Sequence, residues 1–296
     1  MRRVLGLLVL LGLVVAAALW WVSRAQAVDP ARFAGLEGDA ARGERVFHAA
    51  GCAGCHSAPG ASAETRLVLS GGQRFATQFG TFVAPNISSH PDHGIGRWSV
   101  TDLGNAMQAG VSPGGKHYYP AFPYAAYAKA APQDIADLHA FLMTLPADAT
   151  PDRPHELVFP FSVRRTVGVW KFLFAGTGWA VTGPLTPEQE RGRYLAEALG
   201  HCGECHTPRN ALGGLDRGRW LAGAPNPTGE GRIPNITPAR LRWTEDQIAT
   251  YLQSGFTPDF DVVGGHMALV VEAWAQLPAE DRAAVAAYLK AVPPRD

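Results

Sequence analysis

Five residues, Cys52-Ala53-Gly54-Cys55-His56, set the tightest limit on what this chain can become. Cys202-Gly203-Glu204-Cys205-His206 states them again, with changes only at the two middle positions. Two cysteines three apart with a histidine directly after the second form the attachment signature of c-type haem. The spacing has a chemical reason. Each thiol adds to one vinyl group of the porphyrin, and a helical turn puts residues i, i+3 and i+4 on one face, so the histidine meets the iron of the ring its neighbours hold. All four cysteines lie in these motifs, which leaves none for disulfides. The pattern predicts two covalently bound haem c groups, attached at Cys52, Cys55, Cys202 and Cys205, with His56 and His206 as axial ligands.

Other uses of paired cysteines fit less well. Structural zinc motifs place their pairs about 15–20 residues apart, whereas Cys55 and Cys202 are separated by most of a domain. A thioredoxin-like redox motif needs a strand–helix setting, and the residues around both motifs are helical and glycine-rich rather than β-branched.

At 296 residues the chain is long enough for two domains, and a hydrophobic fraction of 47% is that of a globular protein. Lys+Arg and Asp+Glu both total 26, so no net field favours nucleic acid or an acidic substrate. Partners must be chosen by local patches. Glycine (33) and proline (23) run above average, which predicts many irregular loops, as suits small domains whose porphyrin supplies much of the core.

The N-terminus carries Arg2-Arg3 and then runs without a charge from Val4 to Val22, closing on Trp20-Trp21. That run spans a bilayer core of about 30 Å, the tryptophans sit where an interfacial belt would lie, and the early arginines favour a cytoplasmic N-terminus. A cleaved signal peptide is the rival, since Ala25-Gln26-Ala27 resembles a processing site. The apolar run exceeds the usual h-region of about 7–15 residues, which favours an uncleaved anchor over residues 1–27. Both readings export the chain, and haem attachment at such motifs is a periplasmic process in bacteria.

The remaining landmarks come in duplicate. A helix over 40–50, ended by Gly51, leads into the first motif. Pro85-Asn86-Ile87-Ser88 follows, and then Ser99 and Asp102 at the spacing of an N-cap and its acidic partner, predicting a helix that runs to Gly110. A helix over 132–145 has Ile135, Leu138, Phe141 and Leu142 on one face. In the second half Arg191-Gly192 matches Arg42-Gly43, Pro234-Asn235-Ile236-Thr237 matches Pro85 to Ser88, and Trp243-Thr244 with Gln247 repeats the capped start. Gly255 answers to Gly110, and a helix over 279–292 carries Val285, Tyr288 and Leu289. Internal duplication accounts for this order. The expected fold is all-α, with haem domains over 28–146 and 190–296.

Between them, residues 147–189 form a proline-rich linker bearing Phe159, Phe161, Trp170, Phe172, Phe174 and Trp179, interleaved with Arg164-Arg165 and Lys171. Two placements stand open: against the bilayer or a partner subunit, or packed between the haem domains.

The ligand opposite each histidine decides whether a haem moves electrons or does chemistry. For the second haem Met267, in Gly264-Gly265-His266-Met267, ranks ahead of His266. For the first, aligning the closing helices puts Phe122 at the place of Met267, and phenylalanine cannot bind iron. Met107 ranks first there and His117 second, with Met143 last because its counterpart is Lys290. Met107 and Met143 also read as core residues, and a five-coordinate iron stays open. The carbonyls of Pro85 and Pro234 are candidates to accept the Nδ1 proton of the histidines. Trp98 and Trp243 are expected near the haem edges or in the core.

These landmarks resemble the di-haem cytochromes c related to the cytochrome subunits of bacterial membrane-bound alcohol, gluconate and sorbitol dehydrogenases. The resemblance covers nearly the whole chain after the anchor. It rests on Gly80-Thr81-Phe82 before Pro85-Asn86-Ile87-Ser88, on Gly94-Ile95-Gly96-Arg97-Trp98, on Tyr119-Pro120-Ala121-Phe122-Pro123-Tyr124, and on His201 through Asn210. It implies two tandem class I cytochrome c-like domains after an N-terminal transmembrane helix, with Met267 as distal ligand of the second haem. Those subunits commonly have methionine where this chain has Phe122, some relatives have one close to Ala130, and they typically carry a third haem unit; this chain departs in all three.

The implied function is electron transfer, on the periplasmic side of the inner membrane, from a quinoprotein, flavoprotein or molybdenum dehydrogenase to quinone or an oxidase of the respiratory chain. No phosphate-binding GxGxxG loop and no Ser/His/Asp set stands out, so a carrier is expected rather than a catalyst. The competing reading is a haem enzyme, a thiosulfate or sulfite dehydrogenase component or a peroxidase, with an exchangeable site at the first haem.

Overall fold

The computed structural model describes residues 1–226 and 231–296. Helix α1 (Arg2–Val22) has no buried residue, and its length and apolar composition suffice to cross a membrane. The first half then contains α2 (Ala40–Ala50), α3 (Cys52–His56), strands β1 (Arg74–Thr77) and β2 (Gly80–Val83), α4 (Val100–Gly104), α5 (Tyr124–Tyr127) and α6 (Pro132–Leu142). Strand β3 (Glu156–Leu157) and α7 (Thr166–Phe174) lie in the connecting segment. After them come α8 (Pro187–Tyr194), α9 (Gly203–His206), β4 (Ala224–Pro225), β5 (Arg232–Ile233), α10 (Glu245–Ser254), α11 (His266–Trp274) and α12 (Ala279–Ala291).

Glycine sets the closest helix contact in each half. A Cβ on Gly43 would lie 1.9 Å from the Asp137 carbonyl oxygen, and one on Gly192 would lie 1.9 Å from that of Ala284, so α2 meets α6 and α8 meets α12 backbone to backbone. Beside each glycine an arginine forks onto a carboxylate. Arg42 Nε and Nη2 reach Asp137 at 2.7 and 2.9 Å, and Arg191 reaches Asp281 at 2.8 and 2.9 Å. The two acids are not equivalent. Measured from the glycine contact, Asp137 falls opposite Ala284, and Asp281 stands about one turn earlier on its helix.

Around these crossings Phe47, Ile135, Leu138 and Leu142 are buried in the first half, and Leu195, Leu199, Val285, Tyr288 and Trp274 in the second. All belong to one continuous apolar cluster. Truncating a buried aromatic such as Phe47 to alanine costs about 3–5 kcal/mol.

The expected caps are present. Ser99 accepts from Asp102 N at 3.1 Å while Asp102 accepts from Ser99 N, and Thr244 with Gln247 does the same. The helix begun at Ser99 is α-helical only to Gly104; Asn105–Ala109 widens into a π turn, closed by Gly110 in the left-handed region at φ 59°. A second π turn, Leu195–Leu199, precedes the second motif.

The chain is not purely helical. The glycine-rich stretch after the first motif forms an antiparallel hairpin, β1 with β2, and β3 adds to its edge through Gly80 opposite Leu157; β4 pairs with β5. Strands of two to four residues are too short to leave an alternating pattern that a sequence reading can find.

The connecting segment touches the first half, the end of α1 and the second half in turn. At its start β3 is stitched to the first half. Next, α7 docks on the end of α1, where Gly168 abuts Ser23 and Arg165 donates to Ser23 Oγ and Trp20 O at 3.0 and 2.9 Å. Farther along, Trp170 Nε1 donates to Leu212 O at 2.8 Å, and Arg217 reaches back to Gly176 O and Gly178 O. Phe159 and Phe172 stay exposed, at 82% and 73%.

Candidate haem sites

Gly51 ends α2 in the left-handed region, at φ 63°, and so turns the chain directly into the short helix α3. Within it Cys52 is half-buried and Cys55 exposed, and neither forms a disulfide. His56 is held by its main chain and its ring together. Gly71 N donates to His56 O at 2.7 Å, and Nδ1 lies 2.9 Å from Pro85 O. A carbonyl only accepts, so Nδ1 carries the proton and Nε2 keeps the lone pair that binds metal.

The second motif repeats this bond for bond. Gly223 N donates to His206 O at 2.7 Å, and His206 Nδ1 lies 2.8 Å from Pro234 O. The carbonyls expected from the sequence are therefore the ones that orient both rings. Each proline is fixed in turn by a glycine that sequence reasoning passed over. Gly71, at φ 72°, and Gly223, at φ 80°, lie so close to the Pro85 and Pro234 backbones that a Cβ would sit 2.5 and 3.0 Å from the proline carbonyl carbon. Asn86 and Asn235 complete the loops by accepting from Ser88 N and Thr237 N.

Burial lowers the pKa of both His56 and His206, and the proline carbonyls push back the other way. Neutral imidazole is the form that binds iron. Burial pushes the Cys52 and Cys202 thiols up to about 12. Redox-active CxxC pairs show the opposite shift. The donor set thus fits a porphyrin held by two thioethers and one neutral imidazole in each half.

On the opposite side the two halves can be matched by hydrogen bonds. Tyr118 N donates to Gly110 O at 2.7 Å and Val263 N to Gly255 O at 2.8 Å, and the bridges Val111–His117 and Phe256–Val262 correspond. Counted from these bonds, Phe122 and Met267 occupy the same place. Met267 is half-buried in the first turn of α11, whereas the ring of His266 faces Phe75 at 6.1 Å. Phe122 lies between the rings of Tyr118 and Tyr127, at 5.8 and 5.7 Å.

Met107 is 4% exposed within the π turn; counted from the two N-caps it falls opposite Leu252, which is also core. His117 Nε2 donates to Ser23 O at 3.0 Å, directing that ring toward the end of α1. Met143 caps α6, and Trp98 and Trp243 pack against the core cluster.

Sequence reasoning did not foresee how the two motifs meet. Tyr127 donates to Ala50 O at 3.3 Å, just ahead of the first motif, and its ring meets that of His201, the residue before Cys202. Helix α11 lies over α3, with Leu269 Cβ 3.5 Å from where a Cβ on Gly54 would stand, and Arg66 pairs with Glu272 on the same helix.

Paired attachment motifs with carbonyl-oriented imidazoles define a cytochrome of the c type, and comparison with known proteins agrees. The family model for cytochrome c matches residues 40–146. A di-haem c-type cytochrome of Cereibacter sphaeroides is 61% identical over 293 residues, 99% of either chain. The fructose dehydrogenase cytochrome subunit of Gluconobacter japonicus is 34% identical over 91% of this chain, and the gluconate 2-dehydrogenase cytochrome c subunit of Pantoea cypripedii 32% over 86%. This chain spans only 56% and 60% of the length of those two subunits. The chain belongs to the di-haem c-type cytochromes and carries two covalently bound haem c groups.

Proposed function

We propose that this cytochrome is a periplasmic, membrane-tethered carrier that takes electrons one at a time from a partner dehydrogenase and passes them to the respiratory chain, to quinone or a terminal oxidase. Its working parts are two tandem class I-like units, 28–146 and 190–296, joined by 147–189 and anchored through 1–27. Cys52 and Cys55 hold one haem and Cys202 and Cys205 the other; His56 and His206 bind iron through Nε2, and Met267 closes the second iron. Met107 is the sequence candidate for the first.

When bound, each haem supplies reversible one-electron chemistry. The chain's own residues do the rest. The Pro85 and Pro234 carbonyls hold the imidazole protons and strengthen the histidines as donors, and the apolar cluster keeps water from the rings. Tyr127 and His201 link the segments that carry the two motifs. That contact is the observation that carries the reading, because a relay needs its two centres close. The dehydrogenase donor is supported by the relatives that are themselves dehydrogenase subunits.

Purification from detergent-solubilised membranes of the native host tests this. A large subunit with its own organic cofactor should come with the chain and reduce both haems on addition of its substrate. A cytochrome that purifies alone, and that no membrane dehydrogenase activity reduces, would end the reading.

Phe122 supports a second reading, an exchangeable first iron in a haem enzyme. EPR of the oxidised protein separates the two. A high-spin ferric signal that cyanide removes favours the enzyme, and two low-spin signals indifferent to cyanide favour the carrier.

A further inference from the structure

At equivalent places the two halves bury different chemistry. Five residues before the first cysteine of each motif stand Phe47 and Glu197, each only 1% exposed. Their partners correspond as well. The glycine of each helix crossing faces Phe141 in one half and Tyr288 in the other, a Cβ on Gly43 or Gly192 falling 2.8 or 2.7 Å from the aromatic residue's own Cβ. In the first half the rings of Phe47 and Phe141 pack at 5.2 Å. In the second the Tyr288 hydroxyl donates to Glu197 Oε1 at 2.5 Å. One half holds an apolar pair where the other holds a carboxylate and a phenol.

The bonds to Glu197 suit its charged form. Oε2 accepts from Ala180 N at 2.6 Å, and Oε1 accepts from Val181 N at 3.1 Å as well as from Tyr288. The main-chain partners can only donate, and burial keeps the Tyr288 proton on its oxygen by raising its pKa. A neutral acid would need an acceptor for its own proton. Among the described residues no lysine or arginine forms an ion pair with Glu197. Lys129, whose pKa burial lowers and Glu197 partly restores, donates instead to Ala125 O at 3.1 Å. The negative charge is thus buried with no cation bonded to it, where screening is weak.

Backbone geometry brings this charge to the second motif. Cys202 follows Gly192 by ten positions, whereas Cys52 follows Gly43 by nine, and the π turn Leu195–Leu199 takes up the extra residue. Cys202 N donates to Ala196 O at 2.9 Å, so the turn that carries Glu197 is bonded to a residue that attaches the haem. After burial and Cys205, the carboxylate adds to the rise of the Cys202 thiol, which puts that sulfur in its field. A simple tie for residues 180–181 needs no charge, since a neutral amide oxygen accepts from N–H groups too.

We propose that Glu197, oriented by Tyr288, lowers the reduction potential of the second haem and so favours a single electron on the first. A fixed negative charge in a weakly screened site disfavours the ferrous state, which carries one electron more than the ferric. Glu197 acts through its field, and Tyr288 is a positioning residue. This role rests on the relay reading above and biases that relay toward entry at the second haem and exit from the first. The step moves one electron from ferrous second iron to ferric first iron, with no bond formed or broken.

The test is spectroelectrochemical titration of the full-length, haem-loaded protein in detergent at neutral pH. The wave that Cys202→Ala/Cys205→Ala removes identifies the second haem. Glu197→Gln should raise that wave by about tenfold in the ferrous-to-ferric ratio, ~59 mV, and move the other by less. Glu197→Asp, which keeps the charge, should leave it near the wild-type position. A second-haem wave unmoved or lowered in Glu197→Gln, or raised as far by Glu197→Asp, would overturn the role. Should Glu197→Gln fail to hold two haems, Glu197→Phe/Tyr288→Phe copies the pair that the first half packs and should give the same rise; no rise there would overturn the role equally. Two reversible waves that the substitutions leave in place sink Glu197 and leave the relay standing, whereas fewer than two in wild type sink both.

Discussion

The ring of Tyr127 stands edge-on to that of His201, with centroids 5.5 Å apart and planes at 84°. Since His201 adjoins Cys202 and the Tyr127 hydroxyl is bonded to Ala50 O, this pair links the segments that hold the two motifs. Tyr127→Phe should keep the contact and cost about 1 kcal/mol from the lost hydrogen bond. Tyr127→Ala should cost about 3–5 kcal/mol and slow electron exchange between the haems. Urea unfolding and flash-photolysis of the half-reduced protein check both; an exchange rate unchanged in Tyr127→Ala would remove the pair from the relay.

The glycine contacts make a sharper prediction. Gly43→Ala and Gly192→Ala each drive a methyl group to within 1.9 Å of a carbonyl oxygen, so the helices must move apart. Overpacking of this kind costs about 1–3 kcal/mol or more. A lowered urea midpoint in each variant is expected, whereas Gly60→Ala, with open space around it but φ 74°, should show only the smaller cost of a left-handed alanine.

Acid stability should depend on Asp137. Burial pushes its carboxyl up, but Arg42, Asp39 N and Gln133 together outweigh burial and hold it below the ordinary aspartate range. The carboxylate is thus favoured in the folded state. Its contribution is complete above the unfolded pKa of about 4 and is lost as pH falls through the lower folded value. Urea midpoints measured from pH 6 to pH 3 should fall in wild type more steeply than in Asp137→Asn, which should start lower at pH 6. Parallel curves would refute the linkage.

Gly71 and Gly223 hold the proline carbonyls against the histidines, so alanine at either should shift one haem and spare the other. Losing the bond at Nδ1 weakens the imidazole as a donor, stabilises ferrous over ferric iron and raises that haem's potential. Spectroelectrochemical titration of Gly71→Ala and Gly223→Ala reads this directly; a shift in both waves, or downward, would contradict it.

How much of this was legible depended on range. Ser99 with Asp102 and Thr244 with Gln247 are local patterns, and the helix starts they announce are where the sequence puts them. Pro85 and Pro234 could be named because each motif is followed at a similar distance by Pro-Asn-Ile and then a hydroxyl residue, Ser88 or Thr237. By contrast, Gly80 pairs with Leu157 across a long separation with only two residues of strand on one side, so nothing periodic betrays it. The Tyr127–His201 contact depends on how the halves pack, and Asp281 could not be told from Ala284 as the counterpart of Asp137 until the helix crossing was seen.

The central claim is that each motif carries its own haem and that the two act as separate one-electron centres. Intact-mass analysis joined to a reductive titration of protein from the native host tests it most directly. The account predicts a mass increment of two haems and two one-electron waves, one of which disappears with one haem equivalent in the Cys202→Ala/Cys205→Ala variant. An increment of a single haem, or two waves surviving in that variant, would contradict it.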